Sequence, residues 1–428
     1  MSEFSLEVFQ NELLADGATS MDAIVTVTSR GAVSAGVGGQ ASEVLIIDTS
    51  GSMTAPSTRI RAARQAAAEA IDEIRDGVHF AVVAGAEVAT TVYPAWGTNL
   101  AVSDHITRGQ AKDAVLRLQA GGGTAMSTWL LRARDLFTSS PGATVRHAIL
   151  LTDGENREDV RRLDDAIRAC QGMFQADCRG VGTDWIVSEL RKIASALLGT
   201  VDIIPEPAQM EAEFRALMES AMSRGIAGTT LRVWCPVGAQ VNFVRQVAPD
   251  VEDLSGRAVQ VDPLTRDYPL GAWGDEERDY HLSISVPPNA VGIEMLAARV
   301  SLVTGSDTIG QALVRAVWTD DEVASARINP EVAHYTGQAE LAANIQQGLE
   351  ALKSGDERTA TIKLGRATQL AAESGHDGTI KLLRKVVDVE DERTGTIRIR
   401  KDIDKADEMA LDTRSTRTVR VGRAKAPS

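Results

Sequence analysis

The segment Asp48-Thr49-Ser50-Gly51-Ser52-Met53 places one carboxylate and two hydroxyls at alternate positions, just past the aliphatic run Val44-Leu45-Ile46-Ile47. Two more oxygen donors occupy comparable places. Thr124 lies in the loop Gly121-Gly122-Gly123-Thr124, and Asp153 ends the run Leu151-Thr152-Asp153-Gly154. Carboxylate and hydroxyl oxygens together select a hard cation, magnesium or manganese first and calcium as a further candidate, whereas zinc or copper would want His or Cys. Two carboxylates neutralise a dication and three hydroxyls add no charge. Magnesium wants six oxygens and keeps some waters, so one water position is open to a carboxylate from outside. The candidate metal ligands are therefore Asp48, Ser50, Ser52, Thr124 and Asp153. Taken alone, the first string reads better as a polar turn capping a helix that begins near Ser57, since Ser and Asp favour such places. Thr124 and Asp153 turn the reading to metal binding.

These donors can converge only if the surrounding elements carry them to one edge. From Ser42 to about Arg224, short apolar runs at 44–48, 79–84, 89–93, 147–152, 175–181 and 201–204 alternate with helical runs at 60–75, 108–118, 128–137, 159–170, 186–198 and 209–222. Such alternation predicts an α/β fold with a doubly wound, mostly parallel sheet and helices on both faces. In sheets of this kind, ligands bind in the crevice beyond the strands' C-terminal ends. Each of the five donors falls just past a strand end or in a loop at that edge.

Residues 43–224 resemble a von Willebrand factor type A domain, and Asp48, Ser50, Ser52, Thr124 and Asp153 match its metal-ion-dependent adhesion site without a gap. In that family the two serines and the loop threonine coordinate the ion directly or through water, and one aspartate often acts through water. The resemblance implies the same roles here. It is to the intracellular bacterial members, which often carry accessory regions and often pair with AAA+ motors. It implies a non-enzymatic, metal-dependent interaction module that binds a partner's acidic residue. The alternative is a substrate adaptor for a MoxR-like AAA+ ATPase, on family analogy alone.

Outside the α/β region the pattern changes. Residues 5–30 form two extended runs around a turn at Ala15-Asp16-Gly17, too little chain to bury a core of its own. Period-two alternation returns from Thr229 to Thr319, as in His281-Leu282-Ser283-Ile284-Ser285-Val286. The expectation is an antiparallel β-sandwich built from both segments, with the α/β domain inserted into it. Apolar stripes at Ala342, Ile345, Leu349 and Leu352, then at Leu364, Ala367, Leu370 and Ala371, predict helices after Pro330. The expected organisation is 1–40 first strands and Gly-rich linker, 41–225 α/β domain, 226–325 sandwich, 328–390 helices and 391–428 flexible tail. In that tail Thr413, Ser415, Thr416 and Thr418 sit among arginines, as kinase sites often do. The acidic run Asp275-Glu276-Glu277-Arg278-Asp279 reads as a solvated hairpin turn.

Several function classes fall away. A net charge of −14 argues against nucleic-acid binding. No run approaches the roughly twenty apolar residues of a membrane span. The start Met1-Ser2-Glu3-Phe4-Ser5 lacks the basic and apolar regions of a secretory signal, so a cytoplasmic location is expected. The three cysteines, Cys170, Cys178 and Cys235, show no metal or disulfide spacing and read as reduced core thiols. A phosphatase of the haloacid dehalogenase type needs a second acid two residues after the first, where this chain has Ser50. The loop at Gly121 lacks the Lys of a phosphate loop. The six histidines are scattered, and His147 reads as a core residue rather than a base. A metal-dependent hydrolase is the weakest reading, and no cofactor beyond the metal ion is expected.

Overall fold

The computed structural model describes residues 3–31, 41–95, 99–140 and 142–420. The linker expected before residue 41 lies, past Gly31, outside the described residues. The chain opens with strands β1 (Glu3–Gln10), β2 (Leu13–Ala15) and β3 (Ser20–Arg30). β3 carries the β-branched run Ile24 to Thr28 and pairs antiparallel with β1, from Glu3↔Arg30 to Gln10↔Ala23. Gly17, at φ 75°, supplies the left-handed residue of the turn between β2 and β3.

The α/β unit follows. Its elements are β4 (Ala41–Asp48), α1 (Thr58–Asp72), β5 (His79–Gly85), β6 (Thr90–Tyr93), β7 (Ala101–Val102), α2 (His105–Leu116) and α3 (Met126–Thr138). They continue with β8 (Val145–Thr152), α4 (Val160–Cys170), β9 (Gln175–Val181), α5 (Val187–Ala196), β10 (Val201–Ile204) and α6 (Met210–Ser223). The sheet order is β10-β9-β8-β4-β5-β6, with β7 beside β5. β10, β9, β8, β4 and β5 run parallel, while β6 and β7 are antiparallel additions. This is the doubly wound, mostly parallel sheet that the alternation predicts. The order reverses at β4, which has β8 on one side and β5 on the other.

β4 is central, so both of its faces are covered and its aliphatic residues from Val44 to Ile47 are all buried. On one face, Ala63 and Ala67 of α1, Val115 of α2 and Phe214 of α6 join Leu45, Ile47, Val82 and Leu151 in a single core. Each of the Val, Leu, Ile and Phe side chains among them contributes roughly 1.5–3 kcal/mol when fully buried. On the other face the Trp129 ring of α3 lies against Gly85, where a Cβ would stand 2.6 Å from the ring. Only glycine permits that approach, and it draws α3, with the Thr124 loop before it, toward the end of β5.

The remaining strands are β11 (Ile226–Trp234), β12 (Gln240–Ala248), β13 (Glu252–Asp253), β14 (Val259–Asp262), β15 (Thr265–Trp273), β16 (Glu277–Ser285), β17 (Glu294–Thr304) and β18 (Asp307–Thr319). They form two sheets, β1-β3-β16-β12-β13 and β14-β15-β11-β17-β18-β2. All pairings are antiparallel except β2 with β18. β3 lies between β1 and β16, so the first sheet needs strands from both ends of the sequence. The acidic run is not the solvated turn expected of it. Its second half belongs to β16, and Asp279 is fully buried, accepting from Thr26 Oγ1 at 2.6 Å and from the Tyr335 hydroxyl. Those two donors make burial of the carboxylate tolerable.

The C-terminal part comprises α7 (Glu322–Ser325), α8 (Pro330–Lys353), α9 (Glu357–Glu373), α10 (Asp377–Val386), β19 (Val387–Asp391), β20 (Thr396–Ile399) and α11 (Lys405–Arg414). Asn329 caps α8 by accepting from the backbone of Glu331 and Val332, with Pro330 in the first turn. The expectation of a flexible tail from 391 is corrected as far as Arg420. β20 pairs with β19, and Ile397 and Leu411 are buried in one cluster with Leu341, Ile345, Leu364 and Leu383. Its apolar residues are too few to show a period, yet the α8–α10 surface supplies partners for them. Thr413 and Ser415 are buried, so neither is presented to a kinase in this fold. Among the described residues, no helix is long and apolar enough to cross a membrane.

Candidate metal centre

The five candidate ligands are brought together at the C-terminal ends of β4 and β8. Asp48 closes β4, and the chain turns at once into a single 3-10 turn, Gly51–Thr54, ahead of α1. Two backbone bonds clip this loop to the one bearing Thr124: Gly51 N donates to Gly122 O at 2.9 Å, and Gly121 N donates to Thr49 O at 2.7 Å. A Cβ on Gly51 would stand 3.2 Å from that same Gly122 oxygen, so the close approach favours glycine. Asp153 follows β8 directly, and Arg157 N donates to Thr124 O at 2.9 Å, tying the third loop to the second.

The polar atoms form a connected chain. Asp48 Oδ1 accepts from Ser50 N at 2.7 Å, and its Oδ2 accepts from Thr152 Oγ1 at 2.6 Å. Ser50 Oγ and Ser52 Oγ are 2.9 Å apart, and Ser52 Oγ donates to Asp153 Oδ1 at 2.6 Å. Thr124 meets the group at Gly154. A Cβ on that glycine would lie 2.9 Å from Ser52 Oγ and 3.8 Å from Thr124 Oγ1. The absent side chain therefore lets the Ser52 and Thr124 hydroxyls pack close to the Gly154 backbone, next in sequence to Asp153.

Asp48 and Asp153 are both fully buried. Burial pushes the Asp48 carboxyl up to about 6, against the hydrogen bonds from Ser50 and Thr152 that favour its charge, with Asp153 adding repulsion. Two carboxylates buried together repel one another, and Arg59 offsets the charge of Asp153 alone. The donor set fits a hard divalent ion: two carboxylates, three hydroxyls and no sulfur or imidazole. Among the described residues, no group of three or more His, Cys, Asp or Glu could hold a metal, so softer or carboxylate-rich centres have no rival location.

The capping alternative for the Asp48 string has no geometric support. Ser57, at the start of α1, makes no side-chain cap, and neither does Ser50 ahead of the 3-10 turn. Sequence reasoning overlooked several supporting residues. Thr152 was visible only as a strand residue, and nothing in the pattern links it to Asp48. Arg59, in the first turn of α1, donates from Nη1 to Asp153 Oδ2 at 2.9 Å and from Nη2 to Asp184 Oδ2 at 2.9 Å. Asn156 Oδ1 and Glu158 Oε1 accept from the backbone of Met126 and Ser127 at 3.1 and 2.7 Å, fastening the Asp153 loop to the start of α3. His147 lies elsewhere, near the N-terminal end of β8 between Glu43 and Asp177. The three cysteines are free and buried.

Comparisons with known proteins place the chain by family and fold. The family model described as von Willebrand factor type A domain matches residues 44–210, and that described as von Willebrand factor type A C-terminal domain matches 369–415. The second match includes β20 and all of α11. A solved structure, von Willebrand factor type A from Catenulispora acidiphila, is 49% identical with a TM-score of 0.93, covering 98% of this chain and 97% of its own. The ArnB paralog VWA2 from Sulfolobus acidocaldarius shares the fold at 16% identity, with a TM-score of 0.60 and coverage of 97% and 98%. A curated but uncharacterised Synechocystis protein is 26% identical over 292 residues, which is 67% of this chain. The match spans 62% of that relative's length.

Proposed function

Because the chain belongs to the von Willebrand factor type A family, whose domains are generally protein-interaction modules, we propose that it grips a carboxylate on a partner protein through a divalent metal ion. The observation that carries this reading is the hydrogen-bonded series Asp48, Ser50, Ser52 and Asp153, with the Thr124 hydroxyl beside Gly154 on the same side as Ser52. Ser50, Ser52, Thr124, Asp48 and Asp153 would hold the ion, directly or through water, and magnesium or manganese is the assignment their oxygens favour. When bound, the ion supplies a Lewis-acidic position that accepts an incoming carboxylate oxygen.

The chain's own residues prepare that position. The Gly51 and Gly121 backbone bonds fix two of the loops, so the serine hydroxyls are ordered before any ion arrives. Thr152 holds one Asp48 oxygen and the Ser50 amide the other, which sets the carboxylate's plane. Hydroxyls at 50 and 52, rather than further acids, leave the ion's charge unspent for the partner. On this reading the role of the centre is to hold rather than to convert.

Capture of partners from the native host, with magnesium and with excess EDTA, tests the reading. Partners retained with magnesium and released by EDTA are expected, together with loss of binding when one acidic residue of the partner becomes its amide. Equal retention in both conditions would show that the grip lies elsewhere on the chain.

A further inference from the structure

One cation already belongs to the centre. The Arg59 guanidinium touches the outer oxygen of Asp153, while Ser52 touches the inner one. Any ion that uses Asp153 must share that carboxylate with a fixed positive charge. The Arg59 side chain is 16% exposed, and Asp153 is wholly buried, so this pair is poorly screened. The second partner of Arg59 differs: the Asp184 carboxylate bonds Nη2 directly at 2.9 Å but is 57% exposed, so solvent screens its charge more than that of Asp153. Its placement is built into the loop after β9. Gly182, at φ 65°, turns the chain, and its missing Cβ would stand 3.5 Å from Arg59 Nη2. Trp185 closes the loop by donating from Nε1 to Gly182 O at 3.0 Å.

We propose that Arg59 is a specificity-determining residue, a resident counter-cation that loosens the centre's hold on its dication and strengthens the dication's pull on an anion. This rests on the metal-dependent reading above. The charge count gives the direction. Among the buried charges, Asp48 and Asp153 contribute −2 and a dication +2, which alone would leave a neutral centre; Arg59 shifts that balance toward positive, and the exposed, solvent-screened Asp184 cancels only part of the shift. A carboxylate arriving at such a centre meets net positive charge rather than none. The same charge repels the dication, so tight metal binding is exchanged for stronger anion capture. A purely structural role would predict the opposite sign for the metal, since loosening Asp153 could only weaken coordination.

The test is a titration of the full-length protein with manganese, following free manganese by electron paramagnetic resonance. Wild type is compared with Arg59→Met, Arg59→Gln and Arg59→Lys. The two neutral variants should bind manganese about tenfold more tightly, the scale expected for removing a unit charge several ångströms from a dication. Arg59→Lys keeps the charge and should stay near wild type. Acetate, added to the manganese-loaded protein and followed by water-proton relaxation, should bind the neutral variants more weakly. Arg59→Gln serves if Arg59→Met fails to fold, which a thermal melt reveals. Manganese affinity unchanged or weakened in the folded neutral variants would overturn the proposal, as would Arg59→Lys behaving like them. Failure of the underlying reading looks different: neither wild type nor any Arg59 variant would bind manganese.

Discussion

Both ring nitrogens of His147 face carboxylates, Nδ1 toward Glu43 at 2.9 Å and Nε2 toward Asp177 at 2.8 Å, in a fully enclosed position. A neutral imidazole has one N–H and could satisfy only one of them, whereas the imidazolium donates to both. Burial alone would lower its pKa, but the Glu43 charge and the Asp177 hydrogen bond raise it to about 9. Burial also pushes Glu43 up, so the pair shares its proton readily, and the doubly donating geometry favours the charged histidine. A pKa raised on folding means that the contribution is complete below the unfolded value near 6.5 and is lost as pH rises through about 9. Its size is on the order of 3 kcal/mol. Thermal midpoints measured by calorimetry should therefore fall between pH 6.5 and 9. His147→Gln should be less stable at pH 6.5 and should show a flatter profile across that window. At this same scale, the gathering of the five candidate ligands was legible because a spaced Asp-Ser-Ser string is local and chemically distinctive. Thr152, Arg59 and Asp184 were not, because each acquires its role only from a neighbour brought close by folding.

Elements with a strong period announced themselves. The six helices of the α/β unit and its central strands follow apolar runs or stripes that one face or both must bury. The segment from β20 to α11 did not, for a physical reason. It is short, rich in charge, and contributes isolated apolar residues to a core whose other members lie on α8, α9, α10 and the start of β19. Leu411 is the most informative of these, being wholly buried in that cluster. Leu411→Ala should cost roughly 2–5 kcal/mol, the range for truncating a buried leucine. The check is chemical denaturation: a midpoint equal to wild type would mean that α11 does not depend on that core. The antiparallel edge strand β7, only two residues long, was also missed, since two residues carry no period.

For the molecule as a whole, strand β3 from residues 20–30 stands beside β16 from residues 277–285, and the entire α/β unit lies between them in sequence. Weak β character at the N-terminus, with too few residues for a core, made that long-range pairing readable; its register was not, since it depends on matching faces across more than two hundred residues. The family relation and the fold stand on the sequence, the geometry and the 49% identical relative together. The functional account depends on the centre at the end of β4. Calorimetric titration with magnesium of wild type and Asp48→Asn tests it most directly. Asparagine keeps the size of the side chain and removes one of two buried charges, so the variant should fold and melt near wild type. The account predicts one magnesium equivalent bound by wild type and none measurable in Asp48→Asn. Equal magnesium affinity in the two proteins would contradict it.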